Sequence, residues 1–156
     1  MALLASLFFP ACANTGVGGL APARYLDPHT IIRPKTPNTA LAAPAGFAPK
    51  PDIETPLYKA LPATLFADLR ELAACEKRAY TQAAFPHRPQ ADYVVRSAVL
   101  NVPDLVTAQV LAGPGKTSAW LVLWSRSVYG RSDLGVNRQR LRAWLASLAA
   151  TVAHTK

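Results

Sequence analysis

The chain is short of cysteine, of charge and above all of acid. Two cysteines in 156 residues, Cys12 and Cys75, exclude a disulfide-dense scaffold and a four-cysteine zinc site. Charged residues make up 17 %, below the roughly 25 % of an average soluble domain. That argues against a disordered polyelectrolyte and against a coiled coil. No run of about 18 apolar residues occurs, so a complete transmembrane helix is excluded. His29, His87 and His154 are widely separated and lack partners at ligand spacing, so no metal and no other cofactor is expected. Internal repeats, a Gly-x-Ser-x-Gly elbow and nucleic-acid motifs are all missing.

What the chain does have is apolar bulk, at 51 % of residues, and a net charge of +8 from 17 Lys and Arg against nine Asp and Glu. The apolar content is enough for the core of one domain. The basic residues are scattered from Arg24 to Lys156 and denser only between Arg126 and Arg142, with no interleaved aromatic stacking platform. Such a distribution fits a basic envelope protein near anionic lipid at least as well as nucleic-acid binding, and no specific nucleic-acid partner is expected.

Three regions are distinguishable. Residues 1–20 open with about ten apolar residues, the length of a signal-peptide core. No Lys or Arg precedes them, and Phe9 and Pro10 fit poorly before a lipoprotein cleavage box, yet Ala11-Cys12 has the form of one, with Cys12 as the lipidation residue. The expectation is a signal, lipoprotein or anchor segment and a cell-envelope location on the periplasmic side. A cytoplasmic location follows if the segment is not a signal. Residues 21–61 hold most of the nine prolines that fall between Pro22 and Pro62, of fourteen in the chain. Proline removes donors and fixes φ, while Tyr25, Leu26, Ile31, Leu41, Phe47 and Ile53 favour a strap lying on a core. Asp52 to Ala60 is expected to end it as a short edge strand.

From Pro62 the pattern is regular. Leu65, Phe66, Leu69, Leu72 and Ala73 recur at helical spacing over 62–75, behind a proline at the first helical position. Strands are predicted over 77–84, 92–102, 105–111 and 117–127, the last apolar enough to be buried on both faces. Leu134, Leu141, Trp144, Leu145, Leu148 and Val152 predict a second helix over 134–152, with Ser132 or Asp133 as N-cap. Gly113-Pro-Gly-Lys-Thr117 reads as a hairpin turn, since Val110 stands where a phosphate loop needs glycine and Thr117 opens a strand. Short connections imply antiparallel pairing. The predicted fold class is α+β: an antiparallel meander of four to five strands covered by two helices, with the proline-rich N-terminal strap outside. The α+β domain spans 62–156.

The richest stretch joins the most apolar strand to the last helix, and its candidate residues are Ser125, Arg126, Ser127, Tyr129, Arg131, Asp133, Asn137 and Arg138. Asn137 lies on the apolar stripe, three residues after Leu134 and four before Leu141. A polar group buried there must find partners or cost about 1–3 kcal/mol. One reading is structural: Asn137 ties the loop to the helix start, and Asp133 caps it. The other is an anion pocket of Arg126, Arg131 and Arg138 around a helix N-terminus.

The run Tyr129-Gly-Arg-Ser-Asp-Leu-Gly-Val-Asn-Arg138, with Arg33-Pro34, Pro37-Asn38-Thr39, Ala43-Pro44-Ala45-Gly46-Phe47, Pro51-Asp52, Arg96-Ser97, Pro103-Asp104 and Ser125-Arg126-Ser127, resembles the bacterial domain-of-unknown-function family DUF1499 over about residues 33 to 148. The resemblance implies an envelope setting, often with a lipoprotein or membrane anchor, and no established activity, so no catalytic residue carries over. Many members have cysteines around the Pro-Asn element. Thr36 and Thr39 stand here instead, and no thiol role is expected there. The leading functional expectation is a non-enzymatic binding or accessory module holding an apolar or amphipathic small molecule or lipid between sheet and helices. Peripheral or lipid-anchored membrane association is part of that expectation. The alternatives are an enzyme that takes an anionic substrate through Arg126, Arg131 and Arg138, and a protein–protein interaction domain.

Overall fold

The structure, a computed structural model, describes residues 10–115 and 117–154. Residues 1–9, on which the signal or anchor reading rests, lie outside the described residues, as do Lys116 of the turn and the side chain of Val152.

Proline-free windows decide where the chain pairs. Between Pro37 and Pro44 the strap keeps every backbone donor, and there it forms β1 (Thr39–Ala43). A shorter window gives β2 (Ile53–Glu54), which pairs with β1 in parallel, Ala42 opposite Ile53. The segment then turns back to the sheet through a bridge between Tyr58 and Ala119. Four further strands follow: β3 (Ala79–Phe85), β4 (Gln90–Arg96), β5 (Pro103–Ala112) and β6 (Ala119–Ser127). These make the antiparallel meander expected from the short connections. The sheet order is β2-β1-β6-β5-β4-β3.

The fold is thus α+β, but the sheet has six strands and is mixed. The expected four to five antiparallel strands are corrected by the strap: β2 is the edge strand expected within Asp52–Ala60, but it pairs in parallel with β1, a strand that was not expected. β4 stops at Arg96 instead of running to Val102, because Ala98–Leu100 turn and Asn101 takes a φ of 54°. β6 is central, with β1 on one side and β5 on the other.

Two helices cover one face. α1 (Pro62–Cys75) begins on the proline and buries Leu65, Phe66, Leu69 and Ala73. α2 (Val136–His154) buries Asn137, Leu141, Trp144 and Leu148, a spacing of one stripe on a 3.6-residue period. It starts at 136 rather than 134 because Leu134 and Gly135 have φ of 54° and 82°, outside the helical region. Against these helices pack Ala40, Ala42, Tyr93, Val106, Leu121 and Leu123. Tyr93 meets Trp144 edge-on at 5.6 Å between ring centroids, and burial pushes its phenol up to about 12.

The other face is covered by the strap, through polar anchors as well as apolar contact. Leu41, Ala43 and Val122 pack with Ile31, Leu26, Phe47 and Trp124. Buried Arg96 donates through Nε to Gly16 O (2.7 Å), through Nη1 to Ala11 O (2.8 Å) and Asn101 O (3.0 Å), and through Nη2 to Gly18 O (2.9 Å). One guanidinium therefore fastens residues 11–18 to the end of β4. Arg96→Met removes these donors and strands carbonyls inside the fold. The expected result is a loss on the order of 3 kcal/mol, with faster backbone hydrogen exchange confined first to residues 11–20. Uniform exchange across the sheet would contradict a local latch.

Candidate functional site

On the helix-facing side, one end of the sheet is polar. Ser125 and Ser127 project there from β6, and Asp104 from β5, where it pairs with Ser127. Asn137 enters this group from the first turn of α2 and is fully buried. Its Oδ1 accepts from the Ser125 hydroxyl and from Arg140 Nη1 (2.7 Å). Its Nδ2 donates to Asn38 O and Ser127 Oγ, both at 3.0 Å. Arg140 also donates to Ser125 Oγ (2.9 Å) and, through Nη2, to Asp104 Oδ2 (2.6 Å). The amide has its acceptor and both donors satisfied, so the group is closed. Asp133 caps the helix, its carboxylate accepting from the backbone N–H of Gly135 (2.9 Å) and Asn137 (2.8 Å). Burial alone would raise its carboxyl, but those N–H groups outweigh burial and hold it below the usual range.

The three arginines of the anion-pocket reading do not converge. Arg138 pairs with Asp52 at 3.1 Å, and Asp52 is also held by Arg33 at 2.6 Å. Arg131 is exposed. Arg126 points to the opposite face of the sheet, because it alternates with Ser125 and Ser127 along β6. Tyr129 accepts through its hydroxyl from Ala11 N–H at 3.3 Å. Cys12 is buried in a short 3-10 turn (Pro10–Ala13), and burial raises its thiol against the pull of Arg96. Arg140 and Asp104 were not singled out by sequence. The one signal for Arg140 was its place three residues after Asn137, beside the stripe.

The open chemistry lies where Arg126 points. A cavity of about 550 Å³ separates the outer face of the sheet from strap residues 21–26. Its roof is fixed at both ends. Gln82 Nε2 donates to Ala21 O at 2.7 Å, and the Gln90 amide accepts from Leu26 N–H (2.9 Å) and donates to Leu26 O (2.6 Å). Its floor is the cross-strand row Asp92, Thr107 and Trp124, with Arg126 and Leu105 beside it. Thr107 donates to Asp92 Oδ1 at 2.6 Å and accepts from Arg126 Nη1 at 3.2 Å. The Arg126 guanidinium lies 4.2 Å from the Trp124 ring centroid. Asp92 Oδ2 and Trp124 Nε1 are buried with no hydrogen-bond partner among the described residues.

This floor is electrostatically incomplete. Burial raises the Asp92 carboxyl, opposed by the Thr107 hydroxyl and the Arg126 charge. Burial likewise lowers Arg126, opposed by Asp92. Unpaired buried polar atoms and shifted titrating groups inside one cavity are marks of a binding site. Sequence reading found Arg126 alone. Asp92, Thr107 and Trp124 are far apart along the chain, and only strand register makes them neighbours.

Two outcomes follow. Asn137→Leu leaves Ser127, Arg140 and Asn38 O without their amide partner. It is expected to lower stability by about 3 kcal/mol, a fall in melting temperature on the order of 10 °C, whereas Arg131→Ala stays within about 0.5 kcal/mol of wild type. Asp92, with its raised folded value, adds most stability below the ordinary value of 3.8 and loses that contribution as pH climbs through the folded value. Asp92→Asn should therefore gain in melting temperature relative to wild type as pH rises from 3.8 through the folded value. A difference that stays flat with pH would show the carboxyl to be unshifted.

A solved structure of an uncharacterized protein from Rhizobium leguminosarum is similar at 15 % identity and a TM-score of 0.47, covering 74 % of this chain and 94 % of that one. No curated protein matches the sequence. The family described as a protein of unknown function, DUF1499, matches residues 32–148, which take in the whole sheet, α1 and most of α2 but not the cavity roof. The chain belongs to the DUF1499 family.

Proposed function

We propose that this protein is a binding module whose ligand is a small amphipathic molecule held under the strap. The observation that carries the reading is the 550 Å³ cavity lined by Asp92, Thr107, Trp124 and Arg126, beneath whose floor Asp92 Oδ2 and Trp124 Nε1 have no hydrogen-bond partner among the described residues. Tyr25, Leu26, Leu105 and Trp124 offer apolar surface to the ligand body. Arg126 offers N–H donors to an acceptor on its head. The volume falls within the range of small-molecule sites. The ligand position therefore differs from the expected one. Between sheet and helices, Leu121, Leu123, Val106 and Tyr93 pack against Leu65, Leu69, Leu141 and Trp144.

An enzyme working through Arg126, Arg131 and Arg138 loses its geometric basis, since the three side chains serve separate surroundings and Asp133 is occupied as a cap. We place the module at the cell envelope. The support is sequence: an apolar run of about ten residues ahead of Ala11-Cys12, and the net charge of +8. Intact mass of the native protein reads processing and acylation at Cys12 directly.

The binding reading is tested by solvent extraction of the protein purified from its own cells, followed by mass analysis. Wild type is expected to carry an amphipathic small molecule. Arg126→Met, which loses a charged hydrogen-bond donor of about 1.5–3 kcal/mol, is expected to retain about tenfold less or lower. Equal amounts of one compound on both proteins would place it elsewhere, and nothing bound to wild type would count against the reading.

A further inference from the structure

Four large apolar side chains are exposed at one end of the sheet, away from the strap cavity. Val99 and Leu100 sit on the β4–β5 turn at 88 % and 49 % exposure, and Leu134 and Val136 on the β6–α2 connection at 95 % and 46 %. Leu100, Leu134 and Val136 line one open hollow of about 340 Å³, so the two loops are neighbours. Single exposed leucines are ordinary, whereas a cluster at loop tips marks a contact surface. Leu134 is the least expected member. Its backbone has φ 54°, a conformation that glycine or asparagine adopts more readily than leucine. Neither backbone preference nor core packing accounts for a leucine there.

We propose that this end docks onto the surface of an anionic lipid bilayer, with Val99, Leu100 and Leu134 entering at headgroup depth. Two observations select a membrane. First, the apolar run Met1–Phe9 joins the fold at this end: Ala11 N–H donates to the hydroxyl of Tyr129, which lines the same hollow, and Asn101 of the β4–β5 turn donates to Cys12 O. Second, the charge around the tips is basic. Arg131 is exposed on the same connection, and Lys77 and Arg78 flank Ala98 and Val136 in the adjoining hollow. Of the acids nearby, Asp104 is paired with Arg140, and the remaining carboxylates, Asp133 and Glu76, are outnumbered by Arg131, Lys77 and Arg78. Apolar tips ringed by cations are the arrangement that partitions into an anionic interface. The inference deepens the envelope placement above and rests on it, but it does not involve the strap cavity.

The test is flotation of the full chain with vesicles of phosphatidylethanolamine containing about 30 % phosphatidylglycerol, against vesicles of phosphatidylcholine alone. Wild type is expected to float with the anionic vesicles and to bind the neutral ones more weakly. The double variant Leu100→Ser, Leu134→Asn is expected to bind the anionic vesicles about tenfold less, while the single variant Leu134→Asn melts no lower than wild type. All these chains share residues 1–9, so a difference between them belongs to the loops. Equal flotation of variant and wild type overturns the proposal. So does a wild type that fails to float even where cell fractionation keeps the protein with the envelope. A variant that floats normally but loses self-association in sedimentation also overturns it, assigning the patch to a second copy of the chain.

Discussion

Along β6, neighbouring side chains must leave the sheet on opposite sides, and the two polar centres of the molecule depend on this alternation. Ser125 and Ser127 face the helices and meet Asn137 and Arg140. Arg126, between them in sequence, faces the strap and meets Thr107 and Trp124. A one-residue slip of register would exchange the two sets and bury a guanidinium among leucines. The closed amide group on one side pins that register. Asn137 holds Ser127, Arg140 and the backbone of Asn38 at once, so β6, α2 and the start of β1 are joined by one side chain.

The strap is ordered by a different kind of pairing. Its prolines take away N–H donors, yet its carbonyls remain and need partners. The sheet supplies them from long polar side chains. In the strap Gln82 takes the carbonyl of Ala21 and Gln90 that of Leu26, and in the segment ahead of it Arg96 takes the carbonyls of Ala11, Gly16 and Gly18 and Asn101 those of Cys12 and Asn14. Residues 14–27, without helix or strand, are thereby held at fixed points, and between two of them the chain spans a cavity instead of collapsing onto the sheet. The contrast between the faces follows. The helix side is filled by side chains at a spacing suited to close packing. The strap side is bridged, and beneath its floor Asp92 Oδ2 and Trp124 Nε1 have no hydrogen-bond partner among the described residues.

Local pattern was enough for α1, whose bounds of 62–75 follow from a proline at the first position and an unbroken apolar stripe. It was enough for the meander, because short connections leave no room for crossovers, and for the inward amide of Asn137, because helical period places it beside Leu141. Proline density hid β1, whose proline-free window is only a few residues long, and with it the parallel pair. Val99 and Leu100 look like the continuation of a strand in sequence, whereas the backbone turns there and leaves them in solvent.

Residues close along the chain, or one repeated period, suffice for the α+β class, for the family, for a helix cap at Ser132 or Asp133 and for the inward position of Asn137. Long-range packing is what brings Asp92, Thr107, Trp124 and Arg126 to one cavity, Arg138 to Asp52, and Asp104 through Arg140 to the knot around Asn137. The physical reason is range. Periodicity says which way a side chain leaves its own element, but which side chains then meet is set by strand register and by where the strap crosses the sheet, and neither is written in any single stretch of residues.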